Sequence, residues 1–197
     1  MNRIYHTLLS CLLLVAISTA PLSAKDVWVT SAADSGVGSL RTAIDEAVDG
    51  DIVHFDAKIN GVPILLDSSI NIVSKQIRIV GNGVGKTIIS GNERTRVIHI
   101  WGRSDVSISG VSIVDGYANN FAGIYINRSD LKITDFLIEN NYAYGRDGGG
   151  IGAQIHVHLT MRNGVIANNS AKVWAGGFYA LNSWVKYKTL SCATTIH

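Results

Sequence analysis

From Asp51 onward, apolar and polar residues alternate in short pieces: Ile52-Val53-His54-Phe55, Ile64-Leu65-Leu66, Ile70-Asn71-Ile72, Ile77-Arg78-Ile79 and Ile98-His99-Ile100. Period two is the mark of strands with one buried face, and pieces this short and closely spaced suit a coil of three strands. Ahead of them Val27-Trp28-Val29-Thr30 reads as a further strand. Only one stretch has helical spacing. Leu40, Ala43, Ile44 and Ala47 fall at i, i+3, i+4 and i+7, while Arg41, Asp45, Glu46 and Asp49 lie elsewhere. Ser39 offers an N-cap oxygen and Gly50 a stop, which predicts a helix over about 39–49. A lone amphipathic helix before a run of strands suits the open end of a β-solenoid, where it hides an edge that otherwise recruits other chains.

The second half of the chain repeats itself. Ile113-Val114-Asp115-Gly116-Tyr117-Ala118, Ile138-Glu139-Asn140-Asn141-Tyr142-Ala143 and Ile166-Ala167-Asn168-Asn169-Ser170-Ala171 are copies of one unit. Each is followed by a glycine and an apolar residue, Gly123-Ile124, Gly150-Ile151 and Gly177-Phe178, with the glycines 27 residues apart. A fixed period of this size signals stacked structural units. Aligning the copies predicts inward columns of Val106, Leu131 and Leu159; Ile108, Ile133 and Met161; Val111, Phe136 and Gly164; and Ile113, Ile138 and Ile166. Every column but one is wholly apolar. Stacked at about 4.8 Å per coil, they predict an all-β, right-handed parallel β-helix of about five coils with an N-terminal capping helix, some 24 Å tall. The Asn140-Asn141 and Asn168-Asn169 pairs, with Asp115-Gly116 in the same place, read as turn chemistry: these residues tolerate the left-handed conformation, and stacked amides bond from coil to coil.

The unit apolar-x-Asn-Asn-x-Ala followed by Gly-Gly-apolar resembles the repeat of bacterial polymorphic outer membrane proteins and related secreted β-helix proteins, with Ile113, Ile138 and Ile166 where that family usually has Phe. The opening Val27–Thr30, Asp34–Ile44 and Gly50–Phe55 is similar to the N-terminal cap of such proteins. The likeness covers roughly residues 27–181. It implies an extracellular or cell-surface β-helix of the adhesin type. Members that reach the outer membrane carry a C-terminal barrel, for which this sequence has no counterpart, so anchorage by that route is not expected.

Composition adds a compartment. Arg3 and His6 precede an apolar run from Leu8 to Ile17 and a small, polar tail to Ala24, the pattern of a secretory signal peptide over 1–24 and not of a retained transmembrane segment. Its removal leaves 173 of 197 residues, one domain with a net charge of about +1, and no basic stripe for nucleic acid. Cys192 is then the only cysteine, so no internal disulfide supports the fold. The β-helix is expected over 25–182. Residues 183–197 depart from the repeat: Lys186 and Lys188 share one side of an alternating piece, which reads as a charge-protected edge strand or as the end of a truncated chain, with further coils as its partner.

Candidate chemistry is sparse. Gly81-Asn82-Gly83-Val84-Gly85-Lys86-Thr87 has Val80 where a phosphate loop needs glycine and leads into a strand, so it reads as a glycine-rich turn. A lyase that cleaves polyuronates on this architecture needs carboxylates stacked on neighbouring coils for Ca²⁺, with an Arg or Lys as base. In the alignment Asp115 stacks on Asn140 and Asn168, Glu139 lies between Val114 and Ala167, and Asp135 between Gly110 and Asn163, so no column is expected to hold two acids. His156 and His158 share a strand face without a third ligand. The outward aromatics point to contact instead: Tyr125 and Tyr179 fall in one column with His99 and Gly152, and Tyr117 and Tyr142 in another beside the turns. Aromatic faces on a rigid groove stack against sugar rings. The expectation is an exported, non-catalytic protein of the bacterial exterior, binding glycans or a host surface through Tyr117, Tyr125, Tyr142 and Tyr179, with no catalytic residue, cofactor or metal. A polysaccharide lyase-like enzyme and a fragment of a longer exported protein are the alternatives.

Overall fold

A computed structural model describes residues 24–193; the leader expected over 1–24 lies outside them apart from Ala24. In chain order the elements are β1 (Asp26–Val29), α1 (Leu40–Glu46), β2 (Ile52–Phe55), β3 (Ile64–Leu65), β4 (Ile70–Val73), β5 (Gln76–Val80), β6 (Ile88–Ser90), β7 (Ile98–Trp101), β8 (Asp105–Val114), β9 (Tyr117–Ala118), β10 (Ile124–Asn127), β11 (Asp130–Glu139), β12 (Tyr142–Ala143), β13 (Ile151–Ala167), β14 (Ser170–Ala171) and β15 (Phe178–Ala193). Strand pairing is parallel throughout, and the chain winds a β-helix of about six turns, one more than the repeat suggests. One face stacks β1, β2, β5, β8, β11 and β13; a second stacks β4, β7, β10 and the start of β13; the short strands β9, β12 and β14 form a third ribbon.

Corners are marked by stacked residues in the left-handed region. Gly110, Asp135, Asn163 and Thr189 form one such set and Asp115, Asn140 and Asn168 another, all with φ between 48° and 66°. Each reverses the direction of the side-chain alternation, so the faces on both sides of a corner turn their apolar residues inward. The inner columns are those the alignment predicts: Leu131 pairs with Val106 and Leu159, Ile133 with Ile108 and Met161, and Ile138 with Ile113 and Ile166. All nine are at most 1% exposed. The exception in the fourth column, Gly164, has a packing reason. Its partner Phe136 is buried, and a Cβ at position 164 would overlap the Phe136 ring. One coil's phenyl fills the space of two side chains.

The asparagine pairs build the interior of the second of these corners. Asn140 and Asn168 take the left-handed turn, and Asn141 and Asn169 bury their amides beneath it. Asn141 is fully buried; its Oδ1 accepts from the Gly116 N–H at 2.8 Å, and its Nδ2 donates to Glu139 O at 3.0 Å and Asn169 Oδ1 at 2.8 Å. Asn169 Nδ2 donates in turn to Ile138 O at 2.9 Å. The glycine period belongs to the same device. A Cβ at Gly123 would sit 3.1 Å from the Asn141 amide and one at Gly150 equally close to Asn169, and both would run into the carbonyl of the next glycine in the column. Glycine recurs every 27 residues because a corner amide and a neighbouring backbone occupy the side chain's place.

At the N-terminal end α1 closes the stack, burying Leu40, Ala43 and Ile44 in the same core. Ser39 caps it as expected, its Oγ accepting from Thr42 N at 3.2 Å. The helix ends at Glu46, before the predicted stop at Gly50. Lys75 explains the early end: its Nζ donates to the carbonyls of Ile44 at 2.6 Å, Asp45 at 2.9 Å and Ala47 at 2.6 Å, satisfying groups that a longer helix would have paired itself. At the other end β15 continues the coil across the expected boundary at 182, with Lys186 opposite Thr160 and Lys188 opposite Arg162. Among the described residues β15 pairs only with β13 and is an edge, with Lys186 and Lys188 exposed along it.

Candidate ligand-binding groove

Outward side chains of the second face form an aromatic ladder. Tyr125 is opposite His99 on β7 and Gly152 on β13, and Gly152 is opposite Tyr179, the column the sequence predicts. The rings of His99 and Tyr125 stack at 4.7 Å. Above Tyr125 the ladder is continued by Phe121, 4.7 Å from Tyr125 and 5.7 Å from Tyr179. Gly152 leaves that rung empty, and a Cβ there would overlap the Phe121 ring. Sequence reasoning missed Phe121, although a gap at Gly152 between two tyrosines was its signal.

This ladder is largely committed to structure. Phe121 is 1% exposed; Tyr125 is half-buried, with its hydroxyl donating to Gln154 Oε1 at 3.1 Å and accepting from Asn127 Nδ2 at 2.9 Å. Arg96 lies over the Tyr125 ring, 5.1 Å from its centroid, and is fixed by bonds to Phe121 O and Asn120 O at 2.7 and 2.8 Å. Burial, reinforced by the nearby Arg96 cation, pushes the His99 imidazole from 6.5 down to about 4. The unfolded chain therefore binds the extra proton between those values, so His99's contribution to stability is complete above about pH 6.5 and is lost as pH falls toward 4. Melting curves should show a loss of stability over that window, part of which disappears in His99→Phe, a substitution that keeps the stack but cannot titrate.

Tyr117 and Tyr142 are brought together as register partners on β9 and β12, their rings tilted at 5.8 Å. Tyr144, which the sequence reading passed over, stacks on Tyr117 at 4.8 Å. All three are about 40% exposed, and their rings cover one another.

A groove opens where the second face turns into the first. It encloses about 600 Å³ and is lined by Trp101, Gly102, Arg103, Asn127, Arg128 and His156. Trp101 ends β7, on the same outward side as His99, and remains 44% exposed with its ring 6.0 Å from the imidazole. Arg103 and Arg128 stand on successive coils, and the Arg103 N–H donates to Arg128 O at 3.0 Å. Both take left-handed φ values, 65° and 48°, which throw their side chains outward at the corner. The serines that follow anchor that corner from within: Ser104 and Ser129 are buried, and Ser129 Oγ accepts from Ser104 N at 3.0 Å. The two guanidiniums make no hydrogen bond or ion pair among the described residues and are exposed. The sequence carried this site as a second short repeat, Arg103-Ser104-Asp105 and Arg128-Ser129-Asp130, that the Asn-Asn periodicity overshadowed.

The expectation that no column holds two acids is corrected. Asp105 and Asp130 are direct register partners on β8 and β11, at the strand starts just beyond the aligned columns. They do not form a metal centre. Asp130 Oδ1 is taken by the backbone N–H of His158 at 2.9 Å and its Nδ1 at 3.0 Å, and the described residues hold no group of three or more His, Cys, Asp or Glu side chains able to grip an ion. His158 itself stacks on Trp184 at 4.9 Å, and His156 lies 6.5 Å from the same ring. The glycine-rich segment at 81–87 is a turn: Asn82 N donates to Thr87 Oγ1 and Gly85 N to Ser112 Oγ, leaving those amides no phosphate to cradle. No described helix is long and apolar enough to cross a membrane. Comparison with protein-family models, curated proteins and solved structures finds no match.

Proposed function

We propose that this is an exported β-helix protein that binds a glycan on a cell or host surface through the Trp101 groove. The observation that carries the reading is an exposed indole at the wall of a rigid groove, ringed by Asn127, Arg103, Arg128 and His156. An apolar ring face beside several donors matches a sugar, which offers a C–H face to an aromatic and hydroxyls to its rim. The strands that place Trp101 and Asn127 are hydrogen-bonded on both sides, so little conformational freedom remains to be lost on binding. The leader pattern and the likeness of the repeat to polymorphic outer membrane proteins support a site outside the cell. The exposed Tyr117–Tyr142–Tyr144 cluster is the competing surface for the same ligand class.

Trp101→Ala tests this on glycan-coated surfaces or cells. Retention should fall by about tenfold or more, as for loss of a central aromatic anchor, with an unchanged melting temperature. Binding that survives in Trp101→Ala and is lost in Tyr142→Ala would move the site to the tyrosines.

The Asp105–Asp130 column favours one second reading, a polyuronate lyase, with Lys132, two residues beyond Asp130 on β11, as a candidate base. Unsaturated product from a polyuronate with Ca²⁺, abolished by Asp105→Asn, would establish it; no product leaves the binding reading alone.

A further inference from the structure

We infer that the ligand of the Trp101 groove is an acidic glycan, bearing uronate carboxylates or sulfates, with its anionic group held between Arg103 and Arg128. The inference rests on the groove being the binding site. Two arginines on successive coils, neither paired with a carboxylate, face one opening of about 600 Å³. A surface guanidinium without a partner is common. Two in one groove, placed by a repeated Arg-Ser-Asp corner whose serines are buried and bonded to each other, are a built arrangement.

The neighbouring charges leave the groove positive. Asp105 and Asp130 open the strands of the adjoining face; Asp130 is bound by His158, and neither acid forms an ion pair with Arg103 or Arg128. His156 adds a ring N–H donor at the third wall. Arginine's planar fork binds carboxylate and sulfate through two parallel N–H bonds, a geometry that a neutral hydroxyl cannot use. Trp101 then takes the ring face of the same sugar residue. The groove thus has an aromatic wall for the ring and a cationic end for the acid, while the net charge of the chain, +2 before leader removal, supplies no strong general attraction.

The test is a binding panel at equal surface density: neutral glycans, uronate-bearing glycans, the same uronates after methyl esterification, and sulfated glycans. The purified protein should retain at least one acidic class about tenfold more tightly than its neutral or esterified counterpart, and the advantage should shrink as salt is raised. The double variant Arg103→Gln/Arg128→Gln should bring that ratio close to one without changing the melting temperature. Comparison of the uronate and sulfate arms identifies the anion. Lys186→Gln/Lys188→Gln, which removes the exposed lysines of the last coil, should leave the ratio intact. Equal retention of acidic and neutral glycans would overturn the inference while leaving the glycan site in place, as would an acid preference that the lysine pair and not the arginine pair abolishes. Retention of no glycan at all would overturn both.

Discussion

Phe136→Ala should destabilise the protein by about 3–5 kcal/mol, the range for emptying a buried aromatic site, and lower its melting temperature by roughly 10 °C or more. The effect is large because the ring serves two coils: it occupies its own place in the column and the space that Gly164 leaves above it. Gly164→Val alone is expected to destabilise as well, by about 1–3 kcal/mol, since its methyls meet the phenyl. In the double variant the valine enters the void. Its stability should then exceed that of Phe136→Ala, with a coupling of at least about 1 kcal/mol in a denaturation cycle. Additive effects of the two substitutions would show that the ring and the glycine do not share one space.

Asn141→Ala is the second large effect expected. The residue is fully buried, and removing its amide leaves the Gly116 N–H without its bond and takes a donor from the Glu139 and Ile113 carbonyls and from Asn169 Oδ1. The unpaired Gly116 N–H costs about 1–3 kcal/mol and each further bond lost about 1 kcal/mol, which places the total at roughly 3 kcal/mol or more. Asn163 is the internal reference. It also sits at a corner with positive φ, 50°, but it is exposed and makes a single long bond to Asp135. Asn163→Ala should cost only the left-handed strain, about 1 kcal/mol. Denaturant midpoints measured side by side distinguish the two roles, and equal losses would remove the asparagine ladder as a source of stability.

The asparagine and glycine repeats were legible because they are backbone devices. A left-handed corner, a buried amide and a close backbone contact each accept very few residue types, so the side chain at such a position reports its geometry directly. Inner columns were legible for a related reason: parallel stacking places like residues on like, and the period aligns them without knowledge of the coil's shape. Helix termination was not legible, since Lys75, which satisfies its last carbonyls, lies in the turn between β4 and β5, far along the chain. The Asp105–Asp130 pairing was overlooked because these residues open their strands, one position outside the columns aligned on apolar residues.

The outer face was harder to read, and for a physical reason. An outward tyrosine has the same pattern whether it meets a ligand or a neighbour. Tyr125 and Tyr179 join Phe121 in a packed ladder, a contact set by the missing side chain at Gly152 and by a ring arriving from a loop. Tyr117 and Tyr142 are exposed as the pattern suggests, but they rest on each other and on Tyr144. Trp101 and Arg103 on one coil, and Arg128 on the next, line one groove at that corner. Their shared groove follows from stacking, while their sequence spacing shows only a repeated tripeptide.

Hydroxyl-radical footprinting with and without a retained glycan reads side-chain exposure across all these surfaces at once. Protection should concentrate at Trp101 and His156, with Trp174 and the Tyr117, Tyr142 and Tyr144 cluster oxidised as in the free protein. Protection at the tyrosine cluster with Trp101 still open to attack would contradict a binding role for the groove.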